Sequence, residues 1–272
     1  DINVLVRPGS ESKLQSDDVR VVPGDLSSPD ALSEVLAGCD AFVYNVGLLR
    51  EFPRRGITFE ETQYQGVVAS IAAAKQAGVT RMLLMSAIGV QDPGTKYQST
   101  KRRAEIHALE TGLHVTVLRP SVIFGDPRGT KEFATQLHRD MVRPPIPAAD
   151  FVGVRMSPVH IEDVADAFVA ALRDTGSVGQ TIELAGPEIL TWKDMVRRIA
   201  AASGKSKIIL PMPIWVMRVG ATLFDWLPFY PVTRDQLTML EEGNTASCAE
   251  LEALIGRPAS PFAAASLAYL GR

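Results

Sequence analysis

The first 120 residues have a rhythm that restricts the fold more than anything else in the chain: short β-branched runs alternate with longer stretches of helical periodicity. The runs fall at 2–6, 19–22, 41–45, 81–86 and 115–119, and the last four are apolar nearly throughout. Alternation of this kind builds a parallel sheet, because parallel neighbours need a crossover and a helix supplies it. Continuous apolarity suits strands covered on both faces. The helices between them mark their own ends. Ser28 before Pro29 is an N-cap with proline in the first turn, and Gly38 closes that helix. Helices are expected over 59–76, stopped by Gly78, and over 97–110, stopped by Gly112. Residues 1–125 therefore read as an α/β core with a doubly wound parallel sheet.

Beyond residue 120 helical patterns dominate, at 130–141, 162–173 and 191–202, the last opened by Thr191 with Asp194. Thr233 with Gln236, and Ser247 with Glu250, open two more by the same device. Residues 180–184 read as a strand returning to the sheet, so 126–272 forms a smaller, mostly helical C-terminal lobe. The apolar stretch 208–232 carries only Arg218 and Asp225 as charges, but Pro211, Pro213, Pro228 and Pro231 interrupt it. It reads as a docked helix, not a membrane span. Within it, Trp215, Leu223, Phe224, Trp226 and Leu227 form an apolar stripe, read either as core packing or as a face for a protein partner or a membrane surface.

Composition narrows the function. With 28 basic and 31 acidic residues the net charge is −3, and the basic footprint of a nucleic-acid binder is missing. Two cysteines make no disulfide framework, which points to a reducing compartment and a cytoplasmic setting. His107, His114, His138 and His160 are scattered without metal-ligand spacing, so no metal is expected. Lys101-Arg102-Arg103 reads as a solvated helix face with Lys101 turned inward.

Ligands of an open parallel sheet bind beyond the carboxyl ends of its strands. Arg7 ends the first strand, where an acidic residue would hold a ribose 2′-hydroxyl and an arginine suits a 2′-phosphate; an exposed loop arginine is the plainer reading. Asp25 and Leu26 follow the second strand, where they either touch an adenine or Asp25 simply terminates the strand. Asn45, Val46 and Gly47 follow the third, with a glycine that lets a ligand approach the backbone. Ser86 ends the fourth. Eleven residues on, Tyr97 and Lys101 stand four apart on one helical face. A lysine beside a phenol favours the phenolate, which would let Tyr97 act as general acid/base with Lys101 as its tuner and ribose anchor.

In order along the chain, Leu5-Val6-Arg7, Pro23-Gly24-Asp25-Leu26, Gly78-Val79-Thr80-Arg81, Met85-Ser86-Ala87-Ile88-Gly89, Tyr97 with Lys101, Leu118-Arg119-Pro120-Ser121-Val122-Ile123-Phe124-Gly125 and Ser157-Pro158-Val159-His160-Ile161-Glu162-Asp163-Val164 resemble the extended and atypical short-chain dehydrogenase/reductase family. The resemblance covers about residues 1–205 and implies a Rossmann-like fold, a bound dinucleotide, and Pro120 and Val122 beside that cofactor. The tail from Pro231 to Leu240, with Ser86-Ala87-Ile88-Gly89, is similar to the branch of the nucleotide-binding accessory subunit of respiratory complex I and its bacterial relatives. That branch implies NADP(H) over NAD(H), no settled turnover, and a place peripheral to the inner membrane. The alternatives are an active NAD(P)-dependent oxidoreductase or sugar-nucleotide-type epimerase using Tyr97 and Lys101, and a binding module with a degenerate nucleotide site.

Two departures from the family matter. Its opening strand and Gly-x-x-Gly-x-x-Gly loop have no counterpart here, so the chain reads as a fragment whose sheet lacks its central strand, leaving a gap beside residues 2–6. Gln63 stands where the family has asparagine and Ile88 where it has serine, which removes the hydroxyl that polarises the reacting oxygen.

Overall fold

The computed structural model describes residues 1–14, 16, 18–128, 132–213, 215, 218 and 234–271. They form two compact units interleaved along the chain: residues 1–86, 91–117 and 174–180 in the first, and 87–90, 118–173 and 181 onward in the second.

In the first unit, β1 (Asn3–Val6) pairs in parallel with β2 (Arg20–Pro23), with Val6 opposite Pro23. Separately, β3 (Ala41–Tyr44) pairs in parallel with β4 (Arg81–Met85), and β5 (His114–Pro120) flanks β4 on its other side. Among the described residues β1 has no neighbour but β2, and β3 none but β4. β1–β2 and β3–β4 thus belong to separate sheets among the described residues.

Two helices cover both pieces at once. α1 (Pro29–Leu36) starts at Ser28, whose hydroxyl accepts the Ala31 amide at 3.4 Å, and α2 (Gly66–Ala77) ends at Gly78 in the left-handed conformation. Leu32 and Leu36 of α1 and Ala73 and Ala74 of α2 make one apolar cluster, against which Leu5 of β1 and Phe42 of β3 both pack. Burying a side chain such as Leu32 contributes about 1.5–3 kcal/mol, so this shared helical roof stabilises β1 and β3 together. Successive strand residues face opposite ways, and Val43, next to Phe42, is 44% exposed.

The helix expected over 59–76 is not uniform. Residues Glu60–Gln65 form a wide π-turn, closed by Gly66 N donating to Glu61 O, before the regular turns of α2 begin. The widened turn directs Gln63 inward, where it is 2% exposed. α3 (Lys96–Glu110) opens with a capping box: Gln98 N donates to Thr95 Oγ1 at 3.3 Å and Thr95 N to Gln98 Oε1 at 2.8 Å. Tyr44, Ile71, Met82, Leu84, Ala104 and Val115 then join β3, β4 and β5 to α2 and α3 in a second core cluster.

The second unit contains strand pairings that residue patterns did not announce. β6 (Ile123–Phe124) pairs with β9 (Val159–His160), β8 (Arg155–Met156) with β11 (Leu190–Thr191), and β7 (Ala148–Phe151) with β12 (Ile209–Met212). β10 (Thr181–Leu184) lies beside the end of β5, and Ser121 N donates to Leu184 O at 2.9 Å. The unit's helices are α4 (Phe133–Leu137), α5 (Ile161–Arg173), α6 (Trp192–Ala202), α7 (Arg234–Glu242) and α8 (Ala249–Ile255). Phe124, Phe151, Trp192, Met195 and Ile199 lead its core.

Some boundaries differ from expectation. The helix read over 130–141 is only α4 followed by a π-turn at His138–Val142. Residues 209–212 form a strand where a docked helix was expected, because Ile209 packs into the core from an extended backbone paired to β7. Of the apolar stripe only Trp215 is described; Leu223, Phe224, Trp226 and Leu227 lie outside the described residues, as does Thr233. Ser247 is not the cap of α8: Cys248 is, and Glu250 instead accepts the Glu183 amide at 2.7 Å. Among the described residues no helix is long and apolar enough to cross a membrane.

One glycine in this frame is dictated by space. A Cβ on Gly66 would stand 2.3 Å from the Tyr44 hydroxyl and 2.8 Å from Leu26 Cδ1. Overpacking of this kind costs about 1–3 kcal/mol. Urea denaturation of Gly66→Ala should show a loss in that range, although alanine is the better helix former.

Candidate functional site

The paired residues of α3 meet the ends of β3 and β4. Lys101 is 7% exposed, and its ammonium donates to Met85 O, the last carbonyl of β4, at 3.1 Å. The loop after β3 passes close above it: a Cβ on Gly47 would lie 3.7 Å from Lys101 Nζ. Tyr97, one turn earlier, presents its ring edge-on to Phe59 with centroids 5.8 Å apart, and Lys101 Nζ lies 5.8 Å from the Tyr97 centroid. The lysine is therefore committed to a backbone carbonyl and not to the phenol.

Electrostatics follow from that placement. Burial pushes the Tyr97 phenol up to about 12, opposite to the phenolate expected from the Tyr-Lys spacing. Burial also pulls Lys101 down to about 8, and the carboxylate of Glu105, one turn further along α3 and itself fully buried, opposes that fall. Desolvation of both charged forms outweighs their mutual help.

Beneath the pair is a crevice lined by Tyr44, Val46, Gln63, Met85, Ser86 and Lys101, too tight for a water molecule. Ser86 Oγ is buried in it and has no hydrogen-bond partner among the described residues. A buried hydroxyl left unpaired costs about 1–3 kcal/mol, so an oxygen or nitrogen brought to it would be stabilised. Tyr44, Gln63 and Met85 among the lining residues were not singled out as binders from the sequence, and Met85 supplies the carbonyl that Lys101 bonds. Tyr44 donates its hydroxyl to Thr62 O. Gln63 donates from Nε2 to Leu48 O at 2.9 Å, and Thr100 Oγ1 lies 3.1 Å from its Oε1. No pattern marks Tyr44 in a run of strand apolars; Gln63 is marked only by standing in asparagine's place.

The remaining candidates fall in three groups. Asn45 and Val46 are exposed at the end of β3, beside Gly47. Arg7 and Asp25 are exposed at the ends of β1 and β2. The Asp25 carboxyl is held below its usual range first by the Ser27 hydroxyl and amide, at 2.6 and 2.9 Å, and in smaller part by the nearby Arg7 charge. Leu26 is half-buried and packs against both cores of the first unit. Pro120, Val122 and Ile88 belong to the second unit, where Pro120 is buried and its carbonyl accepts the Ile88 amide at 3.1 Å. Among the described residues no three His, Cys, Asp or Glu side chains converge as for a metal ion.

The pattern of an NAD(P)H-binding family matches residues 1–175. The chain is 29% identical over 214 residues to a ceramide reductase of Caulobacter vibrioides, covering 77% of this chain and 65% of that one. It is 26% identical over 216 residues to the mitochondrial NADH dehydrogenase [ubiquinone] 1 alpha subcomplex subunit 9 of Mus musculus, covering 78% and 56%. It thus spans less than two thirds of the length of either relative. In fold it is similar to MoeE5 in complex with UDP-glucose and NAD, with TM-score 0.71 and 18% identity over 98% of this chain and 90% of that one.

The buried lysine leaves a thermodynamic signature. The folded state releases the Lys101 proton near pH 8, whereas the unfolded chain keeps it to its ordinary 10.5. Lys101 therefore opposes folding below pH 8, and that opposition fades as pH rises between the two values. Relative to Lys101→Met, the wild type should gain about 2–3 kcal/mol of unfolding free energy between pH 7 and pH 10, measured by urea titration.

Proposed function

The chain belongs to the NAD(P)H-binding family, and from that premise we propose that it holds NADP(H) in preference to NAD(H) without an efficient redox turnover of its own. One observation carries this reading: the buried Lys101 ammonium, under the Gly47 loop, shares a crevice with the unpaired Ser86 hydroxyl. A lysine on α3 and a hydroxyl at the carboxyl end of β4 suit the hydroxyls of a nicotinamide ribose, which would enter once the Gly47 loop moves aside, since the crevice as it stands does not admit even water. Gly47 lets that ribose approach the backbone, and Asn45 and Val46 would flank it. Arg7, with Asp25 and Leu26, lies at the carboxyl ends of β1 and β2, where a guanidinium would pair with an adenosine 2′-phosphate. The described residues offer no glycine-rich cradle for the pyrophosphate.

When bound, the dinucleotide supplies hydride chemistry; the protein's part would be a proton and a polarised oxygen. Both are weakly provided. Tyr97 holds its proton to about pH 12, and Ile88 has no hydroxyl to offer. A second reading, an active reductase or epimerase, is favoured by Ser86, whose free hydroxyl could serve where Ile88 cannot. A binding module with a degenerate nucleotide site is the third. A partner face, for a protein or a membrane surface at the periphery of the inner membrane, is supported by Trp215, 64% exposed three residues beyond β12; otherwise the setting is cytoplasmic.

Two measurements test this. In calorimetric titrations NADPH should bind about 10- to 100-fold more tightly than NADH, and Arg7→Ala should remove the difference; equal wild-type affinities would sink the preference. Tyr97→Phe should leave NADPH affinity within about twofold, and wild type should show no NADPH oxidation above background across a panel of carbonyl compounds. Oxidation with a defined carbonyl that falls about 10²- to 10⁴-fold in Tyr97→Phe would establish the reductase reading instead.

A further inference from the structure

We infer that Gln63 is a positioning residue, a strut that ties the loop after β3 to the turn of α3 bearing Tyr97 and Lys101. The inference rests on the proposed nucleotide site and adds to it the group that holds its two sides in register. Gln63 reaches both sides with one side chain: Nε2 donates to Leu48 O at 2.9 Å, and Oε1 faces Thr100 Oγ1 at 3.1 Å. Leu48 follows Gly47, where an added Cβ would lie 3.7 Å from Lys101 Nζ, and Thr100 directly precedes Lys101. The amide orientation is fixed chemically, since a carbonyl such as Leu48 O can only accept.

The Thr100 hydroxyl has one proton and three acceptors in reach. Besides Gln63 Oε1 these are Lys96 O at 2.8 Å and Tyr97 O at 3.1 Å. Both carbonyls lie inside α3, where helical geometry already supplies each with an amide four residues on. Gln63 is 2% exposed, and Thr100 is the one donor to its Oε1 among the described residues. Satisfying every buried group therefore assigns the Thr100 proton to Gln63. The π-turn is what makes the reach possible, because its widened loop aims Gln63 into the space between β3 and α3. Asparagine, one methylene shorter, would not hold both ends.

The strut has a readout that does not depend on nucleotide. In hydrogen–deuterium exchange of the apo protein, the amides of 45–49 should exchange at least about fivefold faster in Gln63→Leu and in Thr100→Val, and at the wild-type rate in Thr100→Ser, which keeps the hydroxyl. NADPH affinity should fall about tenfold in Gln63→Leu and Thr100→Val, recover in Thr100→Ser, and fall no further in the double variant than in Gln63→Leu alone. Unchanged loop exchange in both single variants overturns the strut. If wild type binds neither NADPH nor NADH, the nucleotide reading fails, and the exchange data still decide the strut. Should Gln63→Leu not fold, Thr100→Val, which exchanges the hydroxyl for a methyl, against Thr100→Ser, which keeps the hydroxyl, carries the same test.

Discussion

An ammonium group buried at the end of a sheet has to be justified by everything around it. Lys101 sits where desolvation works against its charge, and three features make the position tolerable: a strand-end carbonyl that receives its proton, a fully buried carboxylate one turn along α3, and a glycine loop that presses no side chain against it. An apolar residue of similar size would pack there at lower cost. The arrangement of β4, α3 and the loop after β3 makes sense chiefly as a housing for that charge, which is why the functional reading of the chain begins there and not at Tyr97.

The elements that the residues announced are those with local causes. Ser28-Pro29, Thr191 with Asp194 and the closing Gly78 each write a helix end into a few neighbouring positions, and the structure has those ends. The first four apolar strands are where periodicity put them to within a residue or so. What could not be read had distant causes. The π-turn at Gln63 exists because a side chain there meets Leu48 and Thr100, 15 and 37 residues away. β12 is extended because β7 is there to pair with it, although its residues alone read as a docked helix.

The same distinction holds for the site. Tyr97, Lys101, Gly47 and Ser86 were candidates because strand ends and helical spacing place them, and in the structure Ser86 and Lys101 line one crevice while Gly47 lies close to Lys101. The acidity of the phenol was not legible. Spacing gave Tyr97 a cationic neighbour, but only three-dimensional packing shows that the cation's hydrogen bond is taken by Met85 O and that burial dominates both groups. A four-residue spacing fixes proximity; it does not fix which acceptor the lysine selects.

The open borders of β1 and β3 carry a consequence for how the chain behaves among copies of itself. Each border displays a row of backbone amides and carbonyls that no described strand occupies, and Val43 adds an uncovered apolar side chain beside one of them. Nature usually blunts such borders with lysine, proline or a bulge. Here β1 and β3, reading Asn-Val-Leu-Val and Ala-Phe-Val-Tyr, have none of these. Among the described residues, each of those two tetrapeptides thus offers a backbone edge to which a further extended segment can add by strand pairing, with a side chain such as Val43 left for it to cover.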